Sequence, residues 1–133
     1  MYKLLFAVAM GLMVLMLKYS LGDSITVPQD DPVEKQVLSV VATAYSNDPI
    51  SINVPKWRDG KTATMTPVRW GVVAVDPEII PFGSRVFIED MGWFSAEDTG
   101  SRIKGKRIDI FYPSRREAVR FGRKELTVLI EKT

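Results

Sequence analysis

Between Val37 and Ile130 the chain is cut by turn-forming residues into apolar runs too short to make useful helices, and this punctuation constrains the fold more than any other feature. Val37–Tyr45 (VLSVVATAY) is β-branched and ends at Ser46-Asn47-Asp48-Pro49. Gly71–Val75 (GVVAV) is closed by Asp76-Pro77, and Arg85–Glu89 (RVFIE) lies between the turn Ile79–Gly83 and Met91-Gly92. Trp93–Glu97 and Arg107–Tyr112 flank a glycine-bounded basic loop, and Glu125–Glu131 (ELTVLIE) puts Leu126, Val128 and Ile130 on one face. Short runs of this composition read as strands. Ser114-Arg115-Arg116-Glu117 matches a capping box and Gly122 suits a C-cap, which predicts one helix of about two turns. Ile50–Pro67, with Pro55, Gly60, Thr62, Thr64 and Thr66, reads as a long loop holding at most one short strand. Six or seven short strands with a single helix predict an all-β domain closed into a small barrel, since a parallel sheet would need more helices.

The first residues are of another kind. Lys3 is followed by fourteen uncharged residues, Leu4 to Leu17, before Lys18. A bilayer span wants about 20 apolar residues, whereas the core of a signal peptide is shorter. Residues 1–22 therefore read as an apolar helix that is either a cleaved signal peptide, with Ser20 and Gly22 as the small residues before a cut at Asp23, or a retained signal anchor. Either reading exports the rest of the chain; a buried helix, the third reading, would not. Residues 23–35, with two prolines and few apolar positions, read as a linker, and 36–133 as one folded domain, the only one that 133 residues leave room for.

The chain has neither Cys nor His. That excludes thiol nucleophiles, Ser-His dyads, disulfides and Cys/His zinc sites, and leaves acid–base work to Asp, Glu, Lys or Tyr. No metal or other cofactor is expected, because the carboxylates do not cluster in a D-x-D loop. The net charge of +2 is uneven: residues 101–133 carry ten Lys and Arg against four Asp and Glu, and residues 23–100 carry six against twelve. A basic end attracts an anionic polymer or is simply a solvated face. Without interleaved aromatics it does not predict nucleic-acid binding.

The chemistry concentrates in Glu97–Phe111. Asp109 stands between Ile108 and Ile110, where alternation puts it in a strand. A carboxylate pressed into such a place has its pKa raised unless it is paired, and a raised pKa suits a general acid. Pairing with Arg107 or Lys104 is the alternative. Asp98, before Thr99-Gly100, reads either as a second site carboxylate or as a turn residue bonding nearby backbone N–H groups. Asp76 precedes Pro77, a common turn pair. Tyr45, Trp70 and Trp93 are aromatics for stacking on sugars or for the core.

Val73-Ala74-Val75-Asp76-Pro77, Ile80–Val86, Glu97-Asp98-Thr99-Gly100 and Ile103–Ile110 occur in an order that resembles the three-aspartate, or 3D, domain. Ala42-Thr43-Ala44-Tyr45, Glu117-Ala118 and Phe121-Gly122 extend the likeness to about residues 41–130. The name-giving aspartates are then Asp76, Asp98 and Asp109. The resemblance implies a six-stranded double-psi β-barrel related to those of lytic transglycosylases and rare-lipoprotein-A-like proteins. It implies an exported monomer in the cell envelope that acts on peptidoglycan glycan strands, tethered to the membrane if residues 1–22 are kept. Asp109 would be the catalytic acid and base, Asp98 its catalytic support, and Asp76, Thr64, Tyr45, Thr99 and Lys104 substrate contacts. A non-catalytic wall-binding barrel is the alternative. Two departures stand out: Ser101-Arg102 replaces the usual Gly-Ala, and the usual Ser-Gly is missing around Thr64-Met65-Thr66.

Overall fold

A computed structural model of the chain describes residues 32–48 and 59–132. Segment 1–22 and the linker up to residue 31 lie outside the described residues. Among the described residues there are six strands and one helix: β1 (Glu34–Tyr45), β2 (Val72–Ala74), β3 (Arg85–Ile88), β4 (Gly92–Asp98), β5 (Arg107–Phe111), α1 (Arg115–Phe121) and β6 (Lys124–Lys132). The first strand starts inside the expected linker, at Glu34, because Glu34 and Lys35 continue its ladder against Lys132 and Glu131 on β6.

The strands close into a barrel in the order β1-β5-β2-β4-β3-β6. Two neighbouring pairs, β1 with β5 and β2 with β4, run parallel, and the other pairings are antiparallel. This is a mainly-β, mixed, closed barrel, consistent with the double-psi architecture that the resemblance implied. Period-2 alternation fills it: Leu38, Val40 and Ala42, Val86 and Ile88, Phe94 and Ala96, Ile108 and Ile110, and Val128 and Ile130 form one core. The side chains between them along each strand face outward. Only β2 is buried on both faces.

Helix α1 packs against β1 and buries Ala118 and Phe121. Ser114 is its N-cap in backbone position, yet its hydroxyl makes no capping hydrogen bond, so the expected capping box is not formed. Gly122 ends the helix at φ 70°, where a side chain would be strained.

Before β2, residues 61–67 form a tight loop and no strand. An isolated bridge joins Lys61 to Pro67, and the Thr62 and Met65 N–H groups donate to Thr66 O and Thr62 O. Among the described residues, two non-glycine residues have positive φ, Met65 (67°) and Asp90 (63°). Asp tolerates the left-handed region, whereas Met has no local hydrogen bond to offer in return. Met65 is also 66% exposed, so it recovers little by packing. Met65→Gly should therefore raise stability by about 1 kcal/mol in urea denaturation; an unchanged midpoint would show the loop to be unstrained.

Candidate active site

The site lies on the outer face of the barrel, and strand register builds it. Asp109 on β5 stands opposite Thr43 on β1 and, on its other side, opposite Ala74 on β2. Ala74 in turn stands opposite Asp98 on β4. A bulge makes that last pairing: Val73 pairs with Ala96, the ladder skips Glu97, and Asp98 comes level with Ala74. Thr43, Asp109, Ala74 and Asp98 thus form one row across four neighbouring strands. The methyl group of Ala74 is the floor between two carboxylates. Neighbouring strands are about 4.8 Å apart, which sets the two aspartate Cα atoms about 10 Å apart.

Asp109 is only partly exposed, and burial pushes its carboxyl up to about 6. The Thr43 hydroxyl, which donates to Oδ1 at 2.8 Å, works the other way, as does the charge of Arg107, while the charge of Asp98 adds to the rise. Arg107 makes no ion pair with it; its guanidinium donates to Arg102 O at 3.1 Å. The second oxygen of Asp109, Oδ2, has no hydrogen-bond partner among the described residues.

Asp98 is held quite differently. Tyr45, two residues beyond Thr43 on the same face of β1, donates its hydroxyl to Oδ2 at 2.8 Å. The N–H groups of Ala63 and Thr99 both donate to Oδ1 at 2.9 Å. Asp98 thus bonds the turn that follows through the Thr99 N–H, and its register position places it in the row with Asp109. Tyr45 is half-buried against Phe111, ring centroids 5.5 Å apart, and desolvation together with Asp98 keeps its phenol protonated far above its usual range. Its place is that of a donor to Asp98.

Loop 61–69 is clamped over this row. Ala63 reaches Asp98, and the Thr64 N–H donates to Glu97 O at 3.1 Å. Glu97, skipped by the bulge, accepts two hydrogen bonds of 2.8 Å from Arg69 and another from the Thr66 hydroxyl. Arg69, then Thr66 and Ser95, hold the Glu97 carboxyl down at about 2 against the cost of burial. The hydroxyl of Thr64 is exposed at the lip, 3.1 Å from that of Thr62.

The remaining sequence candidates serve the frame. Asp76 is buried, its Oδ2 accepting from the Gly105 N–H at 2.7 Å and its Oδ1 from the Glu78 N–H at 3.2 Å. These bonds, that of Gly105 foremost, pull its pKa below the usual range, and the charge of Lys104 assists. Asp76 is placed as a clamp between two loops, with Gly105 turned to it at φ 66°, and Lys104 stands by that clamp. The Thr99 hydroxyl is spent on Val75 O at 2.8 Å. Trp70 packs on Phe94 and Tyr112, and Trp93 on Phe87 under the Arg85 guanidinium; neither ring contacts the aspartate row. Sequence reasoning quoted Thr43, Ala74 and Glu97 within motifs but gave them no role at the site, and it did not single out Arg69. The two acids in succession were the one visible hint of a bulge. Among the described residues, no three carboxylates converge as a metal site would require.

Two outcomes are expected. Folded Asp109 keeps its proton up to about pH 6, whereas an unfolded Asp releases it near pH 4. Stability therefore falls as pH rises across that window. Asp109→Asn should be more stable than the parent by about 1–3 kcal/mol at pH 7.5, and equally stable near pH 4, by urea denaturation. Asp76 has the opposite sign: its contribution is complete above about pH 4 and is lost as pH falls through its lowered folded value. Asp76→Ala should lower Tm at pH 7, by a margin that narrows below pH 4 in calorimetry.

Residues 71–131 match the family described as the 3D domain. The putative cell wall shaping protein YabE of Bacillus subtilis is 38% identical over 114 residues, 82% of this chain and 26% of YabE. The cell wall-binding protein YocH of the same bacterium is 40% identical over 97 residues, 70% of this chain and 32% of YocH. The SPbeta prophage-derived uncharacterized protein YorM, also from Bacillus subtilis, is 42% identical over 94 residues, 67% of this chain and 40% of YorM. The chain spans between about a quarter and two-fifths of the length of these relatives. Crystal structures of MltA from E. coli are similar over 55% of this chain: one at 25% identity over 27% of that chain with a TM-score of 0.45, and one with bound chitohexaose at 24% over 28% with 0.42. With Asp76, Asp98 and Asp109 all inside the matched stretch, residues 71–131 of this chain are a 3D domain.

Proposed function

We propose that this is a cell-envelope protein that cleaves peptidoglycan glycan strands as a lytic transglycosylase, with Asp109 as its acid and base. The observation that carries the reading is Asp109 itself: a carboxyl held near pKa 6 by burial, with one oxygen fixed and the other open beside a second, fully bonded aspartate. A group poised near the working pH serves in both directions. As the acid, Asp109 gives its proton to the glycosidic oxygen while the C1–O bond breaks. As the carboxylate, it takes the proton from the sugar's own C6 hydroxyl as that oxygen closes on C1. The product is a 1,6-anhydro end, and no second carboxylate is needed to activate water. Asp98 supports the positive charge that develops at C1. Thr64, exposed on the lip, is the candidate substrate contact that remains beside the row.

A non-catalytic wall-binding barrel is the second reading, and the name of YocH, a cell wall-binding protein, favours it. Export through residues 1–22 and a monomeric state complete the proposal. Among the described residues no helix is long and apolar enough to cross a membrane.

Digestion of purified peptidoglycan with the full chain, followed by mass spectrometry, tests the reading. Anhydro-muropeptides are expected from the parent and not from Asp109→Asn, at a rate that falls as pH rises above about 6 because the acid form is lost. Reducing ends would mean attack by water. Protein that pellets with the wall and releases nothing would leave the binding barrel.

A further inference from the structure

Thr43 and Tyr45 project from the same face of β1, and each gives its hydroxyl proton to one of the two aspartates in the row. The two aspartates end up unequal. Asp98 has both oxygens occupied, Oδ2 by Tyr45 and Oδ1 by two backbone N–H groups. Among the described residues, Asp109 has only Oδ1 occupied, and by a single donor. That donor is held by the backbone, since Thr43 and Asp109 are register partners in the parallel β1–β5 pair. The other acceptor near the Thr43 hydroxyl, Ile108 O, is 3.4 Å away and competes weakly with the carboxylate at 2.8 Å.

We infer that Thr43 is the positioning residue of the acid: by occupying Oδ1 it assigns the transferable proton to Oδ2, in both halves of the reaction. The inference rests on the lytic reading for its consequence, though not for its geometry. When Asp109 is protonated on Oδ2, Oδ1 is a carbonyl oxygen and still accepts from Thr43. When the Oδ2–H bond breaks and the glycosidic oxygen takes the proton, Oδ1 belongs to a carboxylate and accepts more strongly. When the C6 hydroxyl gives its proton back, the bond re-forms on Oδ2. Nothing around Oδ1 moves in the cycle. An acid without this donor could carry its proton on either oxygen and would spend part of its population facing the wrong way.

The same bond trims the acid. Around Asp109, β5 contributes the charge of Arg107, β4 the charge of Asp98 and β1 the hydroxyls of Thr43 and Tyr45, while β2 offers only Ala74. After burial, which raises the carboxyl, the Thr43 hydrogen bond is the largest influence and the leading one that lowers it.

The test compares Thr43→Val, which keeps the β-branched shape and removes the donor, with Thr43→Ser, which keeps the donor. The midpoint of Asp109 is read by carboxyl 13C NMR titration of the full chain, its resonance assigned by its absence in Asp109→Asn, and kcat and KM are read on peptidoglycan. The expected result for Thr43→Val is a midpoint above the parent's value of about 6 and a kcat lowered by about tenfold or more, with KM unchanged. Thr43→Ser should restore both. A Thr43→Val protein with the parent's midpoint and the parent's kcat would overturn the inference. The two readings fail separately: a shifted midpoint in a protein that never releases anhydro products would overturn the lytic reading and leave Thr43 as the residue that sets Asp109.

Discussion

The shortest strand carries the most. Val72–Ala74 is wedged between β4 and β5 and covered on both faces, and its third residue is the common neighbour of Asp98 and Asp109. A residue that must lie in a two-sided interior and also stand between two carboxylates has to be small. Any larger side chain at 74 would fill the space between the carboxylates that gives the row its chemistry. The bulge in the β2–β4 ladder is the other half of the arrangement, because an unbroken ladder would have brought Glu97 level with Ala74. That extra residue sends two consecutive acids to separate tasks, Glu97 to clamp the 61–69 loop through Arg69 and Asp98 to face Asp109.

A carboxyl near pKa 6 is an energetic liability at neutral pH, and the barrel tolerates it because its core is otherwise apolar and continuous. The polar cost falls on the outer face, where other groups steady the frame. Asp76 ties Gly105 to the 76–80 turn, Glu97 ties the threonine loop to β4, and Thr99 ties the end of β4 to Val75. Each of these groups is satisfied, while Asp109 keeps one oxygen open. Strain at Met65 is compatible with this pattern: the loop is pinned at both flanks by the two acids of the bulge, which can hold a backbone conformation that Met65 alone would leave.

The composition of the strands was readable because alternation along each of them is local. Ile108 and Ile110 inward with Asp109 between them follows from period 2 alone, as does the inward face of β6. Strand ends were blurred: β1 starts at Glu34 because its residues Glu34 to Ala42 pair with β6, a fact about residues up to nearly a hundred positions away. The same distance hid the partners of the site. Thr43 meets Asp109 across 66 positions and Ala63 meets Asp98 across 35, and no short-range pattern marks a threonine or an alanine as such a partner. The Ser114–Glu117 capping pattern shows the opposite failure, a local signal whose hydroxyl bond the fold does not make.

The pairing of Glu34 with Lys132 puts the first residue of β1 and the last residue of β6 on the same rung of an antiparallel ladder, joined by a 2.8 Å ion pair. Tension applied between those two ends loads the ladder one hydrogen bond at a time, as in opening a zipper. Tension applied along one strand against its neighbour would instead load many bonds together. Attached to a moving support through both ends, the barrel would peel from the Glu34–Lys132 rung while the β5–β2–β4 side kept its register. Attached through one end only, it would feel no such pull, and the aspartate row would ride undisturbed on its tether.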